Sequence, residues 1–341
     1  HQWIGNFLMG RKQSVVVDGS FSQEEDVLSG VPQGTVLGPL LFLLHINDLP
    51  ASVDPNTRCR LFADDCLLYR KIESLGDQMI LQSDLRRLQL WAAQWGMRFN
   101  ASKCYIMSIH RGSSHLPFLY ELCDTILTSV TEEKYLGVLI ADDLSWTAHR
   151  NPVLTKANQK LGFLRRNLRG CPEELKKLAY ISIVRSSMEY ASIIWEPYRE
   201  THSKSLEAVQ RKSARWIKSN YGRKASVTRM LNSLNLDTLQ ERRRISRLVF
   251  MYKILKNPVH KDSVAVQPSD IDILISPRKR RTPAGQPAKT SPKLDYSYTA
   301  TSDELREHFV ARTIVDWNNL LQTQTAADTA SSFRSQLQAA T

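Results

Sequence analysis

Residues 61–69 constrain the fold most, because two short apolar runs meet there at a pair of adjacent carboxylates, Asp64 and Asp65. Apolar runs on both sides of a tight turn predict a buried β-hairpin with the carboxylates at its tip. Two carboxylates held side by side away from water repel each other, so a cation should compensate them. Mg²⁺ is the matching ion, since hard divalent ions prefer oxygen ligands. Taken alone, the pair is also compatible with a simple cap on a solvated turn.

Charge is distributed unevenly along the 341 residues, whose formal net charge is +12. Residues 1–149 carry a net charge of −5, residues 150–256 carry +16 and residues 257–341 carry +1. An acidic part that holds the carboxylate pair, followed by a strongly basic part, is typical of a metal site beside a polyanion-binding surface. Solvated helix faces also carry lysine and arginine, so charge alone leaves the partner open.

The sequence argues against a membrane-spanning protein and against a disulfide-stabilised secreted protein. No apolar run approaches the roughly 18 to 20 residues that cross a bilayer, and no signal peptide is visible, so we expect no membrane partner. Five cysteines are widely spaced without a Cys-x-x-Cys pattern, which predicts reduced thiols in an intracellular protein, nuclear or cytoplasmic. Because the chain begins with His1 inside an apolar segment, we also expect it to be a fragment of a longer reading frame.

Hydrophobic periodicity predicts four regions of different character. An α+β unit is expected over residues 1–145, including a helix at 77–95 and a strand at 134–140. A helical period of 3.6 takes over in residues 146–256, where helices are predicted at 150–169, 173–195 and 202–219. Proline, serine, lysine and arginine dominate residues 257–301, which predicts a linker, and helical pattern returns in residues 302–341. A basic run at 277–281 lies in that linker and fits a nuclear-import tag, a phosphate-contacting strip or a solvated loop.

A loop with three glycines and two prolines, residues 28–39, leads into the apolar segment 40–49. Glycines at a helix entrance let backbone N–H groups approach a ligand, and a helix N-terminus favours anions. The segment 40–49 is apolar on most faces, which predicts a buried helix. Gln33, between a proline and a glycine, is expected to hydrogen-bond a partner. A plain helix-start loop is the alternative interpretation.

Six segments, in this order and at these spacings, resemble the reverse transcriptases of non-LTR (LINE-type) retrotransposons. They are residues 11–19, 29–39, 42–50, 62–65, 96–104 and 134–138. The resemblance covers about residues 1–150, and residues 144–149 and 312–318 are similar less sharply. It implies an α+β fold: a partial right-hand polymerase palm, an antiparallel sheet with packed helices, followed by an all-helical thumb and a helical C-terminal tail.

The resemblance also implies residue roles, cofactors and partners for this chain. It implies that Asp64 and Asp65 bind metal and take part in catalysis. It implies that Lys103 donates a proton to the leaving pyrophosphate. The alternative for Lys103 is a simply exposed side chain. The residues implied to contact the nucleotide or template are Pro32, Gln33 and Gly34. Those implied to grip the primer are Tyr135, Leu136 and Gly137. Those implied to contact phosphates are Arg165, Arg166, Lys176, Lys177, Arg211 and Lys212. The complete enzyme would use two Mg²⁺ ions, or Mn²⁺, with an RNA template, a DNA primer or RNA–DNA hybrid, and dNTPs.

One departure from the family pattern concerns the carboxylates. A polymerase of this family needs another carboxylate on a strand that precedes the segment beginning at His1, together with fingers that bind template and nucleotide. We therefore expect residues 1–341 alone to be inactive or nearly inactive in RNA-templated DNA synthesis. The competing interpretation is a non-catalytic nucleic-acid-binding remnant, in which the basic helical part persists without polymerase activity.

Overall fold

The structure, a computed structural model, describes residues 2–109, 117–197, 199–256, 309–320 and 327–339. The chain divides into two compact units, His1–Val130 and Thr131–Thr341. In its described part the protein is mixed α+β, mostly helical with small sheets. The linker bounds predicted at 257–301 and the basic run at 277–281 lie outside the described residues. No helix among the described residues is both long and apolar enough to cross a membrane.

The described part of the first unit contains three helices and ten short strands. The helices are α1 (Gln2–Leu8), α2 (Leu37–His45) and α3 (Leu75–Gln94). The strands are β1 (Lys12–Gln13), β2 (Val16–Val17), β3 (Ser20–Phe21), β4 (Glu25–Asp26), β5 (Arg58–Phe62), β6 (Asp65–Tyr69), β7 (Tyr105–Ile106), β8 (Glu121–Leu122), β9 (Thr125–Ile126) and β10 (Thr128–Ser129). Short 3₁₀ helices cover Leu49–Ser52 and Ala101–Lys103.

The predicted hairpin is confirmed: β5 and β6 pair antiparallel, with Phe62 opposite Asp65 at the closed end. The long helix α3 packs against it through a core that includes Leu88 and Trp91. A capping box starts α3, because the Ser74 side chain accepts from the Asp77 N–H while the Asp77 carboxylate accepts from the Ser74 N–H. Local sequence thus determines both the hairpin and the helix that supports it.

The predicted burial in the first unit is wrong in two places. Helix α2 ends at His45, and its side chains Leu40, Leu43 and Leu44 are exposed. The outer face of the hairpin is also open, since Phe62 is exposed and β5 and β6 form a two-stranded sheet. An apolar face is buried only where another element covers it, and in the described part of the chain nothing covers these side chains.

The predicted antiparallel sheet takes a more divided form. The described strands make six separate two-stranded sheets, of which five are antiparallel and one, β7 with β10, is parallel. Most of these strands are only two residues long. Pairs so short bury little apolar surface, and the core of the unit therefore depends on α3.

The second unit begins with a hairpin and continues as helices. The strands are β11 (Glu132–Tyr135) and β12 (Val138–Ala141). The helices are α4 (Thr147–Asn167), α5 (Glu173–Ala179), α6 (Ser186–Glu189), α7 (Ser192–Trp195), α8 (Glu200–Ile217), α9 (Val227–Ser233), α10 (Leu239–Lys256), α11 (Phe309–Asn318) and α12 (Ala330–Ala339), with a π-helical segment at Tyr180–Arg185.

Apolar clusters stabilise the described part of the second unit, which we also call the helical unit. The larger joins α4, α8 and α9 around the fully buried Tyr180 and Trp195, and the smaller packs α10 against α11 and α12 around Phe333. The single helix predicted over 173–195 is wrong, because the chain breaks after Tyr190, where Ala191 adopts a left-handed conformation with φ of 50°. The break turns the Tyr190 side chain toward the hairpin, a long-range contact that periodicity does not reveal.

Candidate functional site

The carboxylate pair lies at an exposed turn. Asp64 stands between β5 and β6, Asp65 is the first residue of β6, and the preceding Ala63 has a φ of 52°. Both aspartates are exposed. Across the described ranges no three His, Cys, Asp or Glu residues come close enough together to hold a metal ion. Mg²⁺ needs near-octahedral oxygen coordination, so these two carboxylates do not by themselves make a complete metal centre.

An ion-pair network fixes the open end of the same hairpin. The Arg70 side chain, directly after β6, is buried between two carboxylates, with Nη1 2.8 Å from Asp54 Oδ1 and Nη2 3.2 Å from Asp77 Oδ1. The backbone N–H of Asn56 and the Arg70 guanidinium lower the pKa of Asp54 below its usual range. The strand end is thereby tied to the start of α3.

Asp84 on α3 extends this network into the core. Its fully buried carboxylate accepts hydrogen bonds from the Asp54 backbone N–H at 2.9 Å, from Thr57 Oγ1 at 2.6 Å and from Arg87 Nη1 at 3.0 Å. One charged side chain therefore positions the segment that enters β5. These contacts anchor the hairpin at its open end, away from the exposed Asp64–Asp65 turn.

The glycine-rich loop is braced locally. Thr35 Oγ1 donates to the Pro32 carbonyl at 2.8 Å and accepts from the Gly38 N–H at 3.1 Å, which closes the loop onto the start of α2. A Cβ at Gly38 would come within 2.8 Å of the Pro32 carbonyl oxygen, so only glycine fits there. Gln33 and Gly34 remain exposed. Lys103 is also exposed, in the 3₁₀ helix Ala101–Lys103, a separate segment of the unit.

The turn predicted to grip a primer, residues 135–137, belongs to the second unit and is clamped by a tyrosine. Leu136 and Gly137 have φ of 46° and 82°, as a tight two-residue hairpin requires. Tyr190 Oη donates to the Leu136 carbonyl at 2.8 Å. The Tyr190 ring packs against Gly137, so that a Cβ at this glycine would lie only 3.2 Å from Tyr190 Cε1. Sequence reasoning missed Tyr190, since nothing local distinguishes it from other helical tyrosines.

Further contacts hold the clamp in place. Trp195 Nε1 donates to the Tyr190 carbonyl at 2.7 Å, and the rings of Trp195 and His149 meet edge to face at 5.1 Å. His149 Nδ1 accepts from the Leu139 N–H at 3.1 Å, which ties β12 to α4. Burial and, to a lesser extent, the charge of Lys156 lower the pKa of His149, which favours the neutral imidazole that this accepting role needs.

We expect Gly137→Ala to destabilise the second unit by about 1–3 kcal/mol, because the new Cβ meets the Tyr190 ring and the positive φ is strained. Urea unfolding measures the loss. Gly170→Ala is the control, since a Cβ there meets nothing within 4 Å. If the Tyr190 ring is the obstacle, Tyr190→Ala should lower the free energy of unfolding less in the Gly137→Ala background than in the wild type. Strictly additive losses of stability in the double variant would contradict this explanation.

Four basic side chains are exposed on two neighbouring helices of the second unit, α4 and α8. Lys212 Nζ on α8 contacts Asn158 Oδ1 on α4 at 3.4 Å, and the Arg165 guanidinium lies 5.7 Å from the centre of the Tyr221 ring, just past α8. The two helices therefore run side by side in the same direction. We call the exposed side chains Arg165, Arg166, Arg211 and Lys212 the α4–α8 seam.

The two lysines of α5 lie apart from this seam. Lys176 is only 6% exposed, and its Nζ donates to Ser219 Oγ at 3.3 Å. Lys177 is half-buried. Nearby, Lys218 and Glu173 form an ion pair at 2.6 Å. Of the six residues predicted to contact phosphate, the four of the seam present their charge most openly to a ligand.

Comparison with known proteins gives a family match over residues 1–140, described as "Reverse transcriptase (RNA-dependent DNA polymerase)". The chain is 29% identical over 221 residues to the probable RNA-directed DNA polymerase from transposon X-element of Drosophila melanogaster, covering 63% of this chain and 24% of that protein. It is 29% identical over 230 residues to the RNA-directed DNA polymerase from mobile element jockey of Drosophila funebris, covering 63% and 25%.

A third relative is matched over more of this chain. The probable RNA-directed DNA polymerase from transposon BS of Drosophila melanogaster is 28% identical over 265 residues, covering 73% of this chain and 28% of that protein. The chain thus spans about a quarter of the length of each of these three relatives. No solved structure matches it.

Proposed function

Residues 1–140 belong to the reverse transcriptase family, related to the RNA-directed DNA polymerases of non-LTR retrotransposons, and from this we propose that the chain is the palm and thumb portion of such a polymerase. One observation carries the proposal: the sequence Phe-Ala-Asp-Asp at 62–65 lies within the family match and places two carboxylates at the tip of a braced hairpin. The proposed reaction is nucleotidyl transfer to a primer 3′-OH on an RNA template.

We assign Asp64 and Asp65 as the carboxylates that this portion contributes to the polymerase centre. Reverse transcriptases generally use Mg²⁺, and two-metal nucleotidyl transfer needs more carboxylate ligands than this pair supplies. The described residues bring no third acidic side chain to the turn. The described residues therefore do not fit a complete two-metal centre, and we propose that residues 1–341 do not extend a primer unaided.

A primer-extension assay tests this assignment. Residues 1–341, an RNA template with a DNA primer, dNTPs and Mg²⁺ should give no more product than Asp64→Asn. Template-dependent extension that Asp64→Asn abolishes would overturn the proposed inactivity and support the assigned carboxylate. Extension that survives Asp64→Asn would contradict the assignment itself.

The helical unit supports a second role, binding of an RNA–DNA hybrid without chemistry. Residues 150–256 carry a net charge of +16, and the α4–α8 seam places four exposed cations on adjacent helices. Each lysine or arginine that neutralises a phosphate releases counterions, which makes binding weaken as salt rises. This observation favours the non-catalytic interpretation as the alternative function.

We expect the triple variant Arg165→Ser, Arg211→Ser, Lys212→Ser to bind a labelled RNA–DNA hybrid at least tenfold more weakly. The plot of log affinity against log salt has a negative slope, and its magnitude should decrease by about one for each phosphate contact that the variant loses. Fluorescence anisotropy at several salt concentrations measures both quantities. The control Lys12→Ser, Lys71→Ser, Arg86→Ser removes three exposed charges from the first unit. Equal losses of affinity in both triple variants would show that net charge, and not the α4–α8 seam, governs binding of the hybrid.

A further inference from the structure

Two cysteines face each other across the hairpin that carries the carboxylate pair. Cys59 on β5 and Cys66 on β6 have their Sγ atoms 3.6 Å apart. In the register of the hairpin, Cys59 lies opposite Leu68 and Cys66 lies opposite Leu61. Side chains alternate along a strand, so the two thiols are diagonal neighbours on one face of the sheet.

A diagonal pair is poorly placed for a disulfide. Diagonal cross-strand residues have Cα atoms about 7–8 Å apart, whereas disulfides join Cα atoms about 4.4–6.8 Å apart with a sulfur–sulfur bond of about 2.0 Å. A direct bond would thus require the strands to move. A single bridging atom fits better: with sulfur bonds of about 2.3 Å, the zinc–thiolate length, it spans 3.6 Å at an angle of about 100°.

The number of ligands decides which atom fits. A structural zinc ion takes four protein ligands. Within the described residues, no three His, Cys, Asp or Glu side chains lie close enough together to hold a metal ion. A trivalent arsenic that already carries one organic group needs only two thiolates. We propose that Cys59 and Cys66 form a two-thiol site for a monosubstituted trivalent arsenical.

The reaction is a condensation without oxidation or reduction. An organic arsenic oxide, R–As=O, forms two As–S bonds, and its oxygen leaves as water with the two thiol protons. Cys66 is half-buried while Cys59 is 8% exposed, so the first bond forms at Cys66 and the second closes onto Cys59. The adduct would fix the spacing of β5 and β6 directly beside Asp65. This site is independent of the proposed polymerase function.

The test uses the reduced full chain and one equivalent of phenylarsine oxide. Intact mass should show one phenylarsenic group per chain, and the number of thiols open to alkylation should fall from five to three. Trypsin cleaves after Arg58, Arg60 and Arg70, so the adduct should join the peptides 59–60 and 61–70. This result needs no variant and does not depend on how any variant folds. Adduct on another pair of peptides, or five free thiols, would overturn the proposal.

Variants then test the pairing. Cys59→Ser and Cys66→Ser should each abolish the two-thiol adduct, while Cys171→Ser in the second unit should retain it. Circular dichroism establishes that the variants are folded. Retention of the adduct in Cys59→Ser or in Cys66→Ser would contradict the site. Treatment of the wild type with glutathione disulfide should leave peptides 59–60 and 61–70 unjoined, and rapid formation of their disulfide would refute the argument from diagonal geometry.

Discussion

Replacing Glu196 with glutamine is expected to destabilise the helical unit by about 3–5 kcal/mol, the usual cost of leaving buried charge uncompensated. The Glu196 carboxylate is 5% exposed and lies among three guanidinium groups. It is 3.6 Å from Arg243 Nε and 3.5 Å from Arg312 Nη2, and it also pairs with Arg247. Glutamine keeps the shape of the side chain and removes the negative charge that these arginines share.

Urea unfolding measures the change in free energy, and hydrogen exchange on peptides from α10 assigns it to the helical unit. Glu200→Gln is the matched control, because its carboxylate is 80% exposed and its ion pair with Lys204 contributes little. A loss for Glu196→Gln no larger than that of the control would contradict a structural role for the buried cluster. The cluster also joins α10 to α11, since Arg247 Nη2 lies 2.9 Å from Asp316 Oδ2.

The second large effect is expected in the first unit, where Asp84→Ala should cost about 3 kcal/mol or more. The substitution removes the acceptor of three hydrogen bonds. It leaves a buried donor at Thr57 and a partly buried donor at the Asp54 backbone unsatisfied. Because these donors fix the entry to β5, hydrogen exchange should rise in peptides from residues 58–69. Urea unfolding and exchange mass spectrometry measure the two effects.

Asp26→Ala is the control for this variant, since Asp26 is exposed on β4 in the same unit. We expect it to change stability by less than about 0.5 kcal/mol, as surface substitutions usually do. Asp84→Ala with wild-type exchange in 58–69 would show that the hairpin does not depend on this anchor. The Asp64–Asp65 turn would then owe its conformation to the strand pairing alone.

Local patterns in the sequence predicted the elements that carry the candidate site. Paired apolar runs predicted the hairpin around Asp64, and the periodicity of 77–95 predicted α3. The pattern predicted a strand-like run at 134–140, and the family resemblance implied a primer-gripping hairpin at 135–137. Neither revealed that Tyr190 closes this turn. These successes depend on interactions between residues near in sequence, where turn chemistry and side-chain alternation act directly.

Burial and long-range contacts were predicted less well. The apolar segment 40–49 was expected to be buried, yet Leu40, Leu43 and Leu44 are exposed, because apolar character does not specify which element will cover a face. The break at Tyr190–Ala191 was missed because it is stabilised from outside the helix, by Trp195 and by the hairpin turn. The buried arginines around Glu196 resemble ordinary surface charges in the sequence.

The sequence by itself determined the match of residues 1–140 to the reverse transcriptase family, the order of the motifs and the location of the two carboxylates at a hairpin tip. It did so because motif spacing and alternation are properties of a short stretch of chain. Only the tertiary structure decided that Lys176 is buried, that Arg165 and Lys212 share a seam, and that Cys59 and Cys66 approach within 3.6 Å. Those facts depend on strand register and helix packing, which bring together residues that are distant in sequence.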